Sequence, residues 1–326
     1  MNARGRIALA VRGLTVGLAR EPGARALVDD LSFEVAEGEM LAFVGESGSG
    51  KSLTAAAIFG LLPFGVRRLA GSVRLHDTEL TALSERALRA RRGRDMGLVF
   101  QNPLTALNPS HSIQAQIAET YHVHKGGTRR AAKERTRALL AEVGLANTAN
   151  GPETYPHQLS GGMRQRAMIA TALACDPTLL IADEPTTALD VVVQAQILDL
   201  LARLRKERGL AVVLITHDLA LAASCADRIL VLYAGRAVEE GCAARFFKTP
   251  YHPYSRALRD ALPPLHGQGA RLAEISGLPP GPGALPRGCR FAPRCPNVQN
   301  DCRETEPAMR RTEPRFACLH PCLGAP

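Results

Sequence analysis

The sharpest chemical signal is GESGSGKS at residues 45–52, which fits G-x-x-x-x-G-K-[ST]. It follows an apolar run, MLAFVG (40–45), and opens a helix-like stretch, KSLTAAAIFGLL (51–62). That context matters physically. Glycines let successive backbone N–H groups turn towards one point, and the helix N-terminus adds partial positive charge there, so phosphates are held. Lys51 then reaches the β- and γ-phosphates of a nucleoside triphosphate, and Ser52 supplies a hydroxyl to Mg²⁺. A second apolar run, LLIADEP, ends in Asp183 and Glu184. Taken alone, an Asp-Glu pair after a strand is more often a surface turn. Beside a phosphate loop it reads as a carboxylate for Mg²⁺ (Asp183) and one to polarise an attacking water (Glu184). Both motifs would lie at strand C-terminal ends, where α/β sheets bind ligands. Shortly before the carboxylates comes LSGGMRQR (159–166), a second glycine-opened helix N-terminus suited to an anion. One nucleotide carries one set of phosphates, so two such sites in one chain invite a second polypeptide.

The elements that must position these residues are legible as patterns. MLAFVG, TLLIAD (178–183), AVVLIT (211–216) and RILVLYAG (228–235) are short apolar runs bounded by turn or polar residues. They predict strands buried on both faces, as in a parallel α/β sheet. SVRLHD and MGLVFQ predict further strands around an Arg-rich helix, SERALRARR. Residues 112–175 read as mostly helical, with a loop at ANGPETYPHQ, and 191–209 as a helix closed by a basic last turn and Gly209. No internal repeat is visible.

Composition bounds the function classes. The chain has 326 residues, 46% hydrophobic and 22% charged, enough for a large core and unlike collagenous, disulfide-scaffold or disordered proteins. No apolar run approaches the roughly 20 residues of a membrane span. The N-terminal MNARGRIALAVRG has no apolar leader segment, so a cytoplasmic location is expected. Net charge is +9, and the stretch from 245 onward contributes 12 Lys/Arg against 6 Asp/Glu. That basic excess suits nucleic acid, an anionic membrane surface or plain solvation. Aromatics are only 4%, with no Trp, which argues against single-stranded nucleic acid, where stacking platforms are wanted. The same stretch holds 14 of the 22 prolines and 5 of the 8 cysteines, placing a boundary near residue 244.

With these motifs in order, residues 7–240 resemble the ATP-binding cassette family. The resemblance identifies a Walker A at 45–52, a Q-loop at Gln101 (VFQNP), a signature at 159–163, a Walker B at 179–184, a D-loop at 188–190 (TTALD) and an H-loop at His217 (LITHD). It implies an α/β fold: a RecA-like P-loop NTPase core sheet with an antiparallel β subdomain and a helical subdomain at about 102–176. Domains of 1–244 and 245–326 follow. It also implies a head-to-tail pair of cassettes, with ATP between the Walker A of one and the signature of the other. Gly45, Glu46, Ser47, Gly48, Ser49, Gly50, Lys51, Ser52 and Leu53 would cradle ATP. Ser52, Gln101 and Asp183 would hold Mg²⁺. Ser160, Gly161 and Gly162 would meet the γ-phosphate across the interface. Glu184 would be the general base, His217 would hold the γ-phosphate, Gln101 would couple to a membrane partner and Asp190 would link the two sites. One departure stands out: where such cassettes often place an aromatic for adenine, this chain has Leu18, with Arg20 and Arg25 nearby.

GESGSGKS, VFQNPLTALNP, YPHQLSGGMRQR and FFKTPYHPYSRALRDALP (246–263) resemble the ATPase subunits of oligopeptide/dipeptide importers, a subgroup that also includes nickel and glutathione transporters. This implies a second ATPase subunit, two transmembrane permeases, an extracytoplasmic peptide-binding protein, a peripheral place on the cytoplasmic membrane face and no nucleic acid. A soluble cassette ATPase outside transport, or a cassette that binds ATP without turnover, is the alternative. Cys289, Cys295, Cys302, Cys318 and Cys322 are separated by five, six, fifteen and three residues. These spacings match no common zinc pattern of C-x₂₋₄-C pairs, and disulfides do not suit a reducing compartment. Free thiols and a metal-thiolate site both remain open on spacing alone. The resemblance implies a 4Fe–4S site on Cys289, Cys295, Cys302 and Cys318, leaving Cys322 spare. Cys175, Cys225 and Cys242 are expected as small core residues.

Overall fold

The computed structural model describes residues 5–18, 26–146, 153–262, 274–310 and 313–322. Arg20 and Arg25 lie outside these. The strands are β1 (Ile7–Leu18), β2 (Val28–Ala36), β3 (Met40–Val44), β4 (Val66–Leu75), β5 (Thr78–Glu79), β6 (Met96–Val99), β7 (Leu179–Asp183), β8 (Ala211–Ile215), β9 (Arg228–Tyr233), β10 (Arg236–Cys242) and β11 (Arg315–Phe316). The described residues fall into two compact units. The first takes Met1–Leu9, Val35–Glu39 and Ala82–Val213; the second takes Ala10–Glu34, Met40–Thr81 and Leu214–Pro326.

In the first unit β8, β7 and β6 are neighbours in that order. β6 and β7 run parallel, with Met96 opposite Leu179 and Val99 opposite Ala182. Leu179 to Ala182 and the whole of β8 are buried, as expected of strands covered on both faces. Around them lie the helices Glu85–Arg91, Pro103–Ala106, Ile113–Lys125, Arg129–Glu142, Gly161–Ala172 and Val191–Arg208. The last ends where expected. Gly209 stands at φ 62° and closes the helix, its N–H donating to the Arg205 carbonyl.

In the second unit the order is β11-β10-β9-β3, and β2-β1-β4-β5 form a separate sheet. β3 and β9 are parallel; β10 pairs antiparallel with β9 and with β11. The helix Lys51–Phe59 follows the phosphate loop and stops earlier than the sequence pattern predicts. Gly60 at φ 63° caps it, its N–H shared between the Ala56 and Ala57 carbonyls. The nearby Pro63 disfavours helical backbone at the residue before it. The core of this unit joins both ends of the chain: Ala42 and Val44 of β3 and Val231 and Tyr233 of β9 share one apolar cluster with Tyr254 and Phe291. Residues far downstream of the composition shift therefore pack on the strand that carries the phosphate loop. No helix among the described residues is long and apolar enough to cross a membrane.

Cysteine placement departs from expectation in part. Cys175 is buried, Cys225 is half-buried, and Cys242 is exposed. Cys242 ends β10 and caps the following helix, a strand terminus with no interior to fill.

Candidate functional site

The phosphate loop is built as the sequence requires. Gly45 stands at φ 148°, and a Cβ there would lie 2.2 Å from the Leu232 carbonyl oxygen. Any side chain would push the loop off β9. Gly48 and Gly50 also take positive φ, and Gly50 leads into the helix Lys51–Phe59, which carries Ser52 and Leu53. Lys51 is buried. Its Nζ donates to the Gly45 carbonyl at 2.7 Å, the Glu46 carbonyl at 2.9 Å and Ser49 Oγ at 3.1 Å. The ammonium is thus drawn across the mouth of its own loop, while Ser47 and Gly48 are exposed. His217, in the same unit, is exposed beyond β8. Asp218 behind it caps the helix Leu219–Cys225 by accepting from Leu221 N–H at 3.0 Å. Leu18 is exposed at the end of β1.

The first unit carries the carboxylates and the signature. Asp183 ends β7, and Glu184 follows at φ 46°, a left-handed backbone that a non-glycine residue adopts at a cost and keeps only when its surroundings fix it. The surroundings are visible. Gln101 Nε2 and Thr187 Oγ1 each donate to Glu184 Oε2 at 2.8 Å. The Q-loop and the Walker B carboxylate are therefore one hydrogen-bonded group. Ala188, opening the D-loop, is at φ 62°.

Ser160 caps the helix Gly161–Ala172. Ser160 and Gly161 are exposed, and Gly162 is half-buried. A Cβ on Gly162 would come within 2.5 Å of Val193 Cγ1, so glycine lets the signature helix pack on the helix that begins after Asp190. Asp190 caps that helix, accepting from Val193 N–H at 3.0 Å. Signature and D-loop are thereby held as one surface. Val191 and Val192, next to Asp190, are 79% and 66% exposed.

The cysteines come together. Cys289, Cys295, Cys302 and Cys318 line one cavity with His252 and Phe291, whereas Cys322 is buried beside Asn297 Nδ2. Burial pushes the Cys289 thiol up to about 11 and Cys318 up to about 12, and neighbouring thiols add to the shift at Cys318. Thiols held protonated in this way are poor nucleophiles. A bound cation would reverse the balance by stabilising thiolate. His252 gives a further sign. It is fully buried, and burial lowers its imidazole to about 3, keeping it neutral. Nδ1 accepts from Tyr254 N–H at 3.1 Å, so the proton sits on Nε2, which has no partner among the described residues. Four thiols and an unanswered N–H on one cavity wall fit a group bearing sulfur or other acceptors. Sequence reasoning missed His252, although it lies in the string YHPY. It also missed Asp301 and His320, whose side chains hydrogen-bond at 2.8 Å beside Cys302.

Comparison with known proteins gives this geometry a family. The family described as "ABC transporter" matches residues 28–187, and "Oligopeptide/dipeptide transporter, C-terminal region" matches 238–302. The chain is 46% identical to the dipeptide transport ATP-binding protein DppD of Haemophilus influenzae over 97% of this chain and 96% of that one. It is 44% identical to the oligopeptide transport ATP-binding protein OppD of Salmonella typhimurium, over 97% and 94%. Among solved structures, the ATP-binding cassette MJ0796, in a dimeric post-hydrolysis state bound to ADP and Pi, superposes with TM-score 0.64 at 27% identity, covering 72% of this chain and 98% of that one. CbiO1 of Clostridium perfringens gives 0.65 at 25%, covering 74% and 91%. The P-loop α/β fold expected from the motifs is the fold of these cassettes. With both family regions matched in tandem and relatives similar over nearly the whole chain, the chain belongs to the ATP-binding cassette transporter family, in the group that carries the oligopeptide/dipeptide C-terminal region.

Proposed function

We propose that this chain is the ATP-hydrolysing subunit of a membrane importer and energises uptake of di- and oligopeptides through partner permeases. The observation that carries this reading is the tandem of a cassette and the oligopeptide/dipeptide C-terminal region in a chain 46% identical to a dipeptide transport ATP-binding protein over 97% of its length. Gly45 to Leu53 hold the phosphates, with Lys51 at the β/γ end. The Mg²⁺ donors are a hydroxyl (Ser52), a carboxylate (Asp183) and an amide oxygen (Gln101), all hard oxygen ligands of the kind Mg²⁺ takes. Glu184 removes a proton from the attacking water, and Gln101 and Thr187 keep its carboxylate aimed. His217 steadies the γ-phosphate.

Ser160, Gly161 and Gly162 serve a second cassette, either another copy or a related ATPase. Their exposure, beside the exposed Val191 and Val192, supports an interface there, with Asp190 at its edge. Two multi-span permeases and an extracytoplasmic peptide-binding protein complete the assembly, which places the chain peripherally on the cytoplasmic membrane face. Affinity capture from detergent-solubilised membranes tests this. Recovery of two permeases, with ATP-dependent uptake of labelled dipeptide in reconstituted vesicles, is the expected result. Recovery of ribosomes or DNA-repair factors in their place rejects it.

The four cavity cysteines, Cys289, Cys295, Cys302 and Cys318, hold a 4Fe–4S cluster in this proposal, which would supply a rigid cross-link between segments of the extension. Protein purified without oxygen is expected to be brown and to contain iron, and Cys295→Ser or Cys302→Ser to lose both. A colourless, iron-free parent protein under those conditions ends the cluster assignment.

A further inference from the structure

Glu46, second in the phosphate loop, is gripped by the C-terminal extension from two sides. Arg294 meets its carboxylate with a two-pronged fork: Nη1 donates to Oε2 at 2.7 Å and Nη2 to Oε1 at 3.0 Å. The rest of the guanidinium is also engaged. It donates to Tyr233 Oη at 3.3 Å, the Ile275 carbonyl at 3.1 Å and the Ser276 carbonyl at 2.9 Å. A guanidinium has five N–H donors in a fixed plane, and here all five are answered. The side chain is only 4% exposed.

Tyr254, fully buried, accepts the Glu46 backbone N–H at 2.9 Å. Burial holds its phenol far above the ordinary range, so the hydroxyl keeps its proton. Behind these contacts Tyr233, Tyr254 and Phe291 pack ring on ring, with centroids 4.6, 5.2 and 5.3 Å apart. Phe291 also walls the cysteine cavity.

This arrangement answers a problem in the loop itself. A carboxylate beside bound phosphates repels them, and the repulsion grows where water is excluded. A desolvated, bidentate arginine cancels that charge and fixes the carboxylate's direction. The tyrosine hydroxyl fixes the backbone of the same residue. We propose that Arg294 and Tyr254 are positioning residues of the ATP site, acting through Glu46, so that the C-terminal extension sets the affinity of the phosphate loop for nucleotide. The inference rests on reading residues 45–52 as that loop.

The test uses the full chain: equilibrium binding of a fluorescent ATP analogue, and ATP KM and kcat in the assembled importer. Arg294→Gln leaves the Glu46 carboxylate uncompensated beside the phosphates and is expected to weaken ATP binding and raise its KM by about 10- to 100-fold, about 1.4–2.8 kcal/mol at 1.4 kcal/mol per decade, with a much smaller change in kcat at saturating ATP. Arg294→Lys recovers only part of this, because an ammonium keeps the charge and loses the fork. Adding Glu46→Gln to Arg294→Gln restores most of the affinity, since the charge needing cancellation is gone; a generic packing defect would show no such rescue.

Unchanged ATP affinity in a folded Arg294→Gln chain overturns the proposal, as does a double variant no better than the single. If Arg294→Gln does not fold, Tyr254→Phe, which deletes one oxygen and keeps the ring stack, decides in the same way: several-fold weaker binding is expected, and wild-type affinity overturns it. Lys51→Ala runs beside these as a control. ATP affinity retained there would refute the loop assignment itself, a failure distinct from that of Arg294 and Tyr254.

Discussion

Glu184→Gln is expected to leave ATP bound and to slow its hydrolysis about 10²- to 10⁴-fold, the usual contribution of a general base. The geometry makes this a clean substitution. Gln101 Nε2 and Thr187 Oγ1 both donate to the same carboxylate oxygen, each at 2.8 Å, and an amide oxygen placed there accepts both. Shape and hydrogen bonds therefore persist, and what is lost is the capacity to take a proton from water. ATPase turnover of the assembled complex at saturating ATP, set beside nucleotide retention on the same sample, separates the two quantities. Turnover that survives the change would show that another group, or the phosphate itself, takes the proton. Gln101→Ala offers a graded comparison: it removes a donor that aims Glu184 and one proposed Mg²⁺ ligand but leaves the carboxylate, so at saturating Mg²⁺ its loss of turnover is smaller than that of Glu184→Gln.

What could be read from the sequence has a common character. β3, β7 and β8 were legible because buried parallel strands are continuous apolar runs, and the helix Val191–Arg208 because its end carries both a basic turn and Gly209. The phosphate loop, the Walker B carboxylates and the signature are local strings, so order along the chain sufficed to find them. The hidden parts are long-range. Arg294 and Glu46 are 248 positions apart, and no string around either announces the other. The two-residue strand β11 pairs with β10 but is too short to show a period. The cysteines were visible as a count, yet their irregular spacing named no metal; only the fold brings four of them to one cavity and adds His252. Cys242 went the other way: it was expected in the core as a small residue, yet it follows Glu239, Glu240 and Gly241 and stands at an exposed strand end.

Lys51→Ala should abolish measurable nucleotide binding, and it is the more severe of the two site variants because it acts before chemistry. Charge-assisted hydrogen bonds contribute about 1.5–3 kcal/mol each. Losing two of them to the β- and γ-phosphates lowers affinity by roughly 10²- to 10⁴-fold at 1.4 kcal/mol per decade. The structure also shows why an alternative explanation must be removed. Lys51 Nζ donates to the Gly45 and Glu46 carbonyls and to Ser49 Oγ, so alanine also strips the loop of an internal brace. Lys51→Arg separates the two roles. It keeps a cation and donors for the loop carbonyls but is too long and too planar to reproduce the point contact of an ammonium. Thermal unfolding close to wild type in Lys51→Arg, with ATP affinity still lost, assigns the effect to the phosphates. Loss of folding in both variants with binding intact in whatever remains folded would make Lys51 a structural brace, and the proton-transfer role of Glu184 would then lack the substrate position on which it depends.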